Sequence, residues 1–101
     1  MPSELGSPGW VDTHCHLDDP AYDDDRDAVV LRAERAGVHR VVVPGVSPAS
    51  WDRARRCRDR HPRLIRLAFG LHPWALRGLD AAARAQALAA LPQALEDDAL
   101  A

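Results

Sequence analysis

Three times along 101 residues, a short run of strand-forming residues is followed by a segment of helical character, and this alternation restricts the chain to few folds. The first run, WVDTHCHLDD, starts at Trp10 and ends in polar residues. The acidic triplet Asp23, Asp24 and Asp25 then precedes AVVLRAERAG. Carboxylates face the unpaired N–H groups of a helix start, and Gly37 suits a left-handed helix end. Val29, Ala33 and Ala36 predict the apolar stripe of that helix. The second run, residues 38–46, is rich in β-branched residues and closes on Pro44 and Gly45. A second helix follows over SPASWDRARRCRDRHP, with Ser50 as its expected cap, Trp51, Ala54 and Cys57 on one face, and Pro62 blocking continuation. The third run, LIRLAFGLHP over residues 64–73, leads through Asp80 into an Ala-rich helix. Leu88, Leu91 and Leu95 are expected to share a face there, with a break or kink at Pro92.

A βαβαβα order with short connections implies a parallel sheet covered by helices. A small three-layer sandwich, an open doubly wound sheet and the opening of an eight-stranded barrel all satisfy it. Three parallel strands leave both sheet edges open, so further sequence or a partner is expected to cover them. The organisation reads as a flexible tail over residues 1–9 and one partial domain over 10–101.

Composition narrows the function classes. At 47% hydrophobic residues the chain has material for a core. Thirteen Lys and Arg against 15 Asp and Glu give a formal charge of −2, so any nucleic-acid contact is local or runs through a metal rather than through the overall field. Two well-separated cysteines and the lack of a signal-like or membrane-spanning stretch make the cytoplasm the expected compartment. Neither GxGxxG nor a P-loop follows the first strand, which argues against a nucleotide cofactor.

Polar residues gather instead at the C-terminal ends of the first and third strands, where parallel-sheet enzymes place their chemistry. Asp12, His14 and His16 are spaced by two and would share one face of a strand. Two neutral imidazoles so spaced suit adjacent positions around one divalent ion, and the bland alternative is a pair of hydrogen-bonded rim histidines. Asp12 and Asp18 flank the pair and can orient it. Cys15 points the other way and reads as a small buried hydrophobe. His72 ends the third strand, as a ligand, a proton relay, a substrate contact or a loop cap, with Trp74 close behind as a pocket wall or ordinary packing. The arginines at 53, 55, 56, 58 and 60 read as a solvated helix face, and His39 and His61 sit in no ligand-like array.

The combination VDTHCHLD, VVVPGV and FGLHPW resembles the opening third of the TatD-type metal-dependent deoxyribonucleases, among the amidohydrolase-like barrel hydrolases. The resemblance spans roughly residues 10 to 98. It implies an α/β fold whose three βα units form the first part of a (β/α)8 TIM barrel, truncated before strand four. It also implies one or two divalent ions, Mg, Mn or Zn, with His14 and His16 as metal ligands. His72 and Asp18 are then catalytic-site residues, His72 contacting substrate phosphate or assisting proton transfer, and Asp12 has a supporting role. The expected activity is phosphodiester hydrolysis on DNA, exercised as the N-terminal portion of such an enzyme. The expected partners are DNA or another phosphodiester and a complementary chain, with no membrane. The Gly-Glu-x-Gly-Leu-Asp segment, the two later histidines and the late aspartate of that family do not occur, and Glu96, Asp97 and Asp98 do not replace them. The competing readings are an inactive or partner-dependent barrel fragment and an amidohydrolase acting on a substrate other than nucleic acid.

Overall fold

A computed structural model describes residues 9–97. The expected tail therefore lies outside the described residues apart from Gly9, as does Asp98. Strand β1 (Trp10–Asp12) is followed by a 3-10 turn (Pro20–Tyr22) and helix α1 (Arg26–Arg35). Strand β2 (Val38–Gly45) leads to α2 (Pro48–Arg60), and β3 (Ile65–Phe69) leads to the four-residue α3 (Pro73–Leu76) and α4 (Ala81–Asp97). The strands form one parallel sheet in the order β1-β2-β3.

Helix placement separates the three candidate architectures. Val41 and Val43 of β2 and Ile65, Leu67 and Phe69 of β3 are buried in one cluster with Val30 of α1, Trp51, Ala54 and Cys57 of α2, and Ala94 of α4. Helices α1, α2 and α4 thus cover the same face. A doubly wound sheet would divide them between two faces, whereas consecutive strands with helices on one side are the pattern of a barrel wall. On the opposite face Val42, Pro44, Ala68 and Gly70 are only half-buried and Arg66 is exposed. The fold is α/β, three parallel βα units resembling a truncated TIM barrel.

Several local expectations are corrected by packing. β1 ends at Asp12, so His14 and His16 lie on the loop after the strand and not on it. The cap of α2 is Ser47, whose side chain accepts from the Ser50 N–H at 3.3 Å. Ser50 is buried inside the helix, and its Oγ accepts from the Val46 N–H at 3.1 Å. In α1 the buried residue is Val30, while Val29 and Ala33 are half-buried and Ala36 is exposed. In α4 the small Ala87 and Ala94 take the buried positions, Leu91 and Leu95 flank them, and Leu88 is 63% exposed. Small side chains let a helix approach a sheet closely, which a leucine at those positions would prevent. Helix α4 runs without a break through Pro92, from Ala81 to Asp97. Gly37 does adopt the expected left-handed conformation, with φ of 96°.

One contact set ties the helix layer to the end of β3. The Trp51 ring stacks on Phe69 at 5.6 Å with 20° between planes, and its Nε1–H donates to the Gly70 carbonyl at 3.0 Å. Gly45 leaves room for this pair, since a Cβ there would come within 2.6 Å of Trp51 Cδ1 and 2.8 Å of Phe69 Cδ1. The Gly70 N–H donates to the Gly45 carbonyl at 2.9 Å and the His72 N–H to the Val46 carbonyl at 3.0 Å. The β3 exit, and with it His72, is pinned from both sides.

Cys57 is buried on α2, and burial pushes its thiol up to about 11. At pH 8 a thiol with that value is thiolate to on the order of one part in a thousand, and the thiolate is the nucleophile. Cys57 is therefore expected to resist iodoacetamide at pH 8 in the folded chain and to react readily in urea, as read by intact mass and peptide mapping. Cys15 is half-buried against the core, where burial foremost, and then the charges of Asp12 and Asp18, also raise its thiol. It packs against the core as a small hydrophobe, but half-buried rather than buried as its sequence position suggested.

Candidate active site

The loop after β1 is shaped by its own polar residues. Asp12 Oδ1 accepts from the His14 N–H at 3.1 Å, and the Cys15 N–H donates to the Val42 carbonyl at 3.1 Å. The loop then turns through Leu17 N–H to the Cys15 carbonyl at 2.9 Å and Asp19 N–H to the His16 carbonyl at 3.0 Å. Leu17 is buried as an anchor, while His14 and His16 are exposed. Their rings meet edge to face with centroids 5.0 Å apart. The structure thus brings the two histidines together although neither belongs to a regular strand.

Asp18 is placed differently. Its side chain is 3% exposed, Oδ1 accepts no hydrogen bond among the described residues, and Oδ2 lies 3.7 Å from Arg53 Nε of α2. Burial pushes this carboxyl above the ordinary carboxylate range, against the opposing pull of its own backbone N–H, of Arg53 and of His16. A buried carboxylate with an incomplete partner set is costly, and Arg53 supplies the opposite charge nearest to it. Arg26 secures the same stretch from α1. Its Nε donates to the Leu17 carbonyl at 2.7 Å, and its Nη2 to the Asp19 carbonyl at 2.7 Å and to Asp23 at 2.8 Å. Arg26 thus holds the histidine loop from behind by hydrogen bonds, while Arg53 sets a charge beside Asp18 with its Nε in no hydrogen bond among the described residues.

The α2 arginines are therefore not a uniform solvated face. Arg55 lies over the Phe69 ring at 5.2 Å and bonds Asp52, Arg58 bonds Asp59, and Arg60 pairs with Asp27, which also meets His61 Nε2 at 2.9 Å. Arg53 was missed as a supporting residue. Its signal was present in the spacing, three after Ser50 and four before Cys57, both of them buried. Arg53→Ala is expected to destabilise the chain by about 3 kcal/mol or less, because it strands a buried carboxylate, with Arg53→Lys intermediate. Urea unfolding followed by circular dichroism reads this, and an unchanged midpoint for Arg53→Ala would show that Asp18 does not depend on it.

His72 stands at the exit of β3, the same end of the parallel sheet as the exit of β1. It caps α3, with Nδ1 accepting from the Trp74 N–H at 3.0 Å. That bond uses the Nδ1 lone pair, so the neutral ring carries its proton at Nε2 and presents a donor. The side chain is exposed, as is Trp74. Among the described residues no group of three or more His, Cys, Asp or Glu side chains is arranged to hold a metal ion. The His14 and His16 pair fits two positions of an imidazole-binding divalent ion, and three protein ligands are usual for a catalytic one.

The family model of the TatD related DNases matches residues 11–101. The chain belongs to the TatD-related DNase family. Among its relatives are the uncharacterized metal-dependent hydrolase YjjV of Escherichia coli, 36% identical over 64 residues, and the putative deoxyribonuclease tatdn3 of Danio rerio, 31% identical over 72 residues. The uncharacterized metal-dependent hydrolase MJ1582 of Methanocaldococcus jannaschii is 38% identical over 64 residues. These matches cover 63%, 71% and 63% of this chain but 24%, 27% and 24% of the relatives, so the TatD segment spans about a quarter of their length. Membership places the chain in the superfamily of metal-dependent hydrolases. No helix among the described residues is long and apolar enough to cross a membrane.

Proposed function

We propose that this chain supplies the opening part of the active site of a divalent-metal-dependent phosphodiester hydrolase acting on DNA, within a partial barrel domain over residues 10–101. The observation that carries this reading is the His14 and His16 pair, with rings 5.0 Å apart at the exit of β1. His14 and His16 would hold the ion through neutral imidazole nitrogens. When bound, a magnesium, manganese or zinc ion lowers the pKa of a water and polarises a phosphoryl oxygen. His72 offers its Nε2–H to a phosphate oxygen, and its Nδ1 is held in place by the Trp74 N–H. Asp18 acts from behind the loop that carries His16, paired with Arg53. The names of several relatives as deoxyribonucleases support DNA as the substrate.

Zinc titration followed through the histidine imidazole resonances tests the ligand assignment. His14 and His16 are expected to shift together at micromolar to millimolar zinc, with His39 and His61 unmoved, and an unresponsive pair would overturn it. A second reading, a barrel fragment that depends on a complementary chain or has no activity, is favoured by the lack of a third metal-binding side chain beside the pair among the described residues. A complementary chain bearing the missing carboxylate and histidines would bring tight metal binding on mixing under the first of these and not under the second.

A further inference from the structure

A lone exposed aromatic side chain is ordinary on a protein surface. Trp74 is distinguished by what surrounds it. It is 69% exposed, while Trp51 of the same chain is 2% exposed, and it follows directly on the His72-Pro73 step at the exit of β3. The Arg77 guanidinium lies over its ring, 4.2 Å from the centroid, and at that exposure much of the indole remains open to solvent. The Trp74 N–H is the group that His72 Nδ1 accepts from, so one turn carries the open indole, a guanidinium and the exposed ring of His72 with its Nε2–H. A flat π surface flanked by two donors for an anion matches a base joined to its phosphate. A bare phosphate or an acidic peptide would use the donors and leave the indole idle.

We propose that Trp74 and Arg77 form a nucleotide subsite, in which an unpaired base stacks on the Trp74 indole and the adjoining phosphate is held by Arg77 with His72. The subsite deepens the phosphodiesterase reading and rests on it for the direction in which the strand runs to the histidine pair. Stacking on an exposed aromatic ring is tolerant of base identity and requires a base free of its duplex partner. Recognition is therefore of single strands or frayed ends. A formal charge of −2 agrees with a contact made at one turn rather than by the overall field.

The test compares a short thymidine oligonucleotide with an abasic oligonucleotide of equal length and charge. Binding to the whole chain is measured by fluorescence anisotropy in EDTA. The thymidine strand is expected to bind about five- to a hundredfold more tightly. Trp74→Ala should erase that preference while leaving the backbone N–H that His72 uses, and Trp74→Phe should restore most of it. Arg77→Ala should weaken both oligonucleotides. Equal binding of the two oligonucleotides, binding of neither, or a preference that survives Trp74→Ala overturns the subsite. Repeating the comparison in a His14→Ala, His16→Ala chain separates the two proposals. A base preference that persists where the parent chain shows no zinc response sinks only the metal assignment, and zinc binding without a base preference sinks only the subsite.

Discussion

Replacing His14 and His16 together by alanine is expected to abolish saturable zinc binding by this chain, and each single replacement to weaken it by at least about tenfold. Even the hydrogen-bond partners of metal ligands are commonly worth about 10- to 100-fold, so loss of a ligand costs no less. Isothermal titration with zinc measures both effects, and circular dichroism checks that the fold survives. It should survive, because the two rings are exposed and the loop is held by Asp12, Leu17 and Arg26 rather than by the imidazoles. The parent chain with manganese or zinc is expected to leave DNA intact, since two ligands fall short of the three usual for a catalytic ion. Cleavage by the parent chain that disappears in the double variant would overturn that expectation while strengthening the ligand assignment. A double variant that binds zinc as the parent does would remove His14 and His16 from the site.

The largest stability effect is expected at Trp51. Trp51→Ala removes a side chain that is 2% exposed, opens a cavity against Phe69 and leaves the Gly70 carbonyl without its indole donor. Such truncations cost about 3–5 kcal/mol, against a total of about 5–15 kcal/mol for ordinary domains. With no further strand beside β1 or β3 among the described residues, the sheet has little reserve, so Trp51→Ala is expected to be largely unfolded at 25 °C. Trp51→Phe keeps the stack and loses the hydrogen bond, at about 1–3 kcal/mol. Thermal unfolding by circular dichroism ranks the three proteins, and a Trp51→Ala melting curve within a few degrees of the parent would show that the contact does not tie α2 to β3. Because Gly70 is two residues before His72, the Phe variant should also broaden the His72 imidazole resonances.

Much of the candidate site is legible in residue type and spacing. The His-x-His step and the His at the end of the third strand need nothing more to be picked out, and both lie at one end of the sheet. The position of Asp18 is not legible in that way. A carboxylate two residues after a histidine reads as a site residue, yet its neighbour Leu17 is drawn into the core and takes the loop inward, so Asp18 meets Arg53, 35 positions away. Ser47 and Ser50 illustrate the same limit on a smaller scale. Either satisfies the preference for a capping hydroxyl, and the choice falls to Ser47 because Ser50 is needed against the Val46 N–H at the end of β2.

The sequence by itself determined the order of strands and helices, the end of α1 at Gly37, the buried face of α2 and the clustering of histidines at strand exits. Each of these depends on interactions within a few residues, where β-branched runs, helical spacing and glycine conformation act locally. Only the tertiary structure decided that three helices cover one face of the sheet, that alanines rather than Leu88 face the core in α4, and that Arg53 supports a buried Asp18. It also decided that Trp74 stands open beneath Arg77 while Trp51 is enclosed. Those outcomes depend on which distant surfaces exclude water from one another, and the packing of one element on another is not written in the spacing of either.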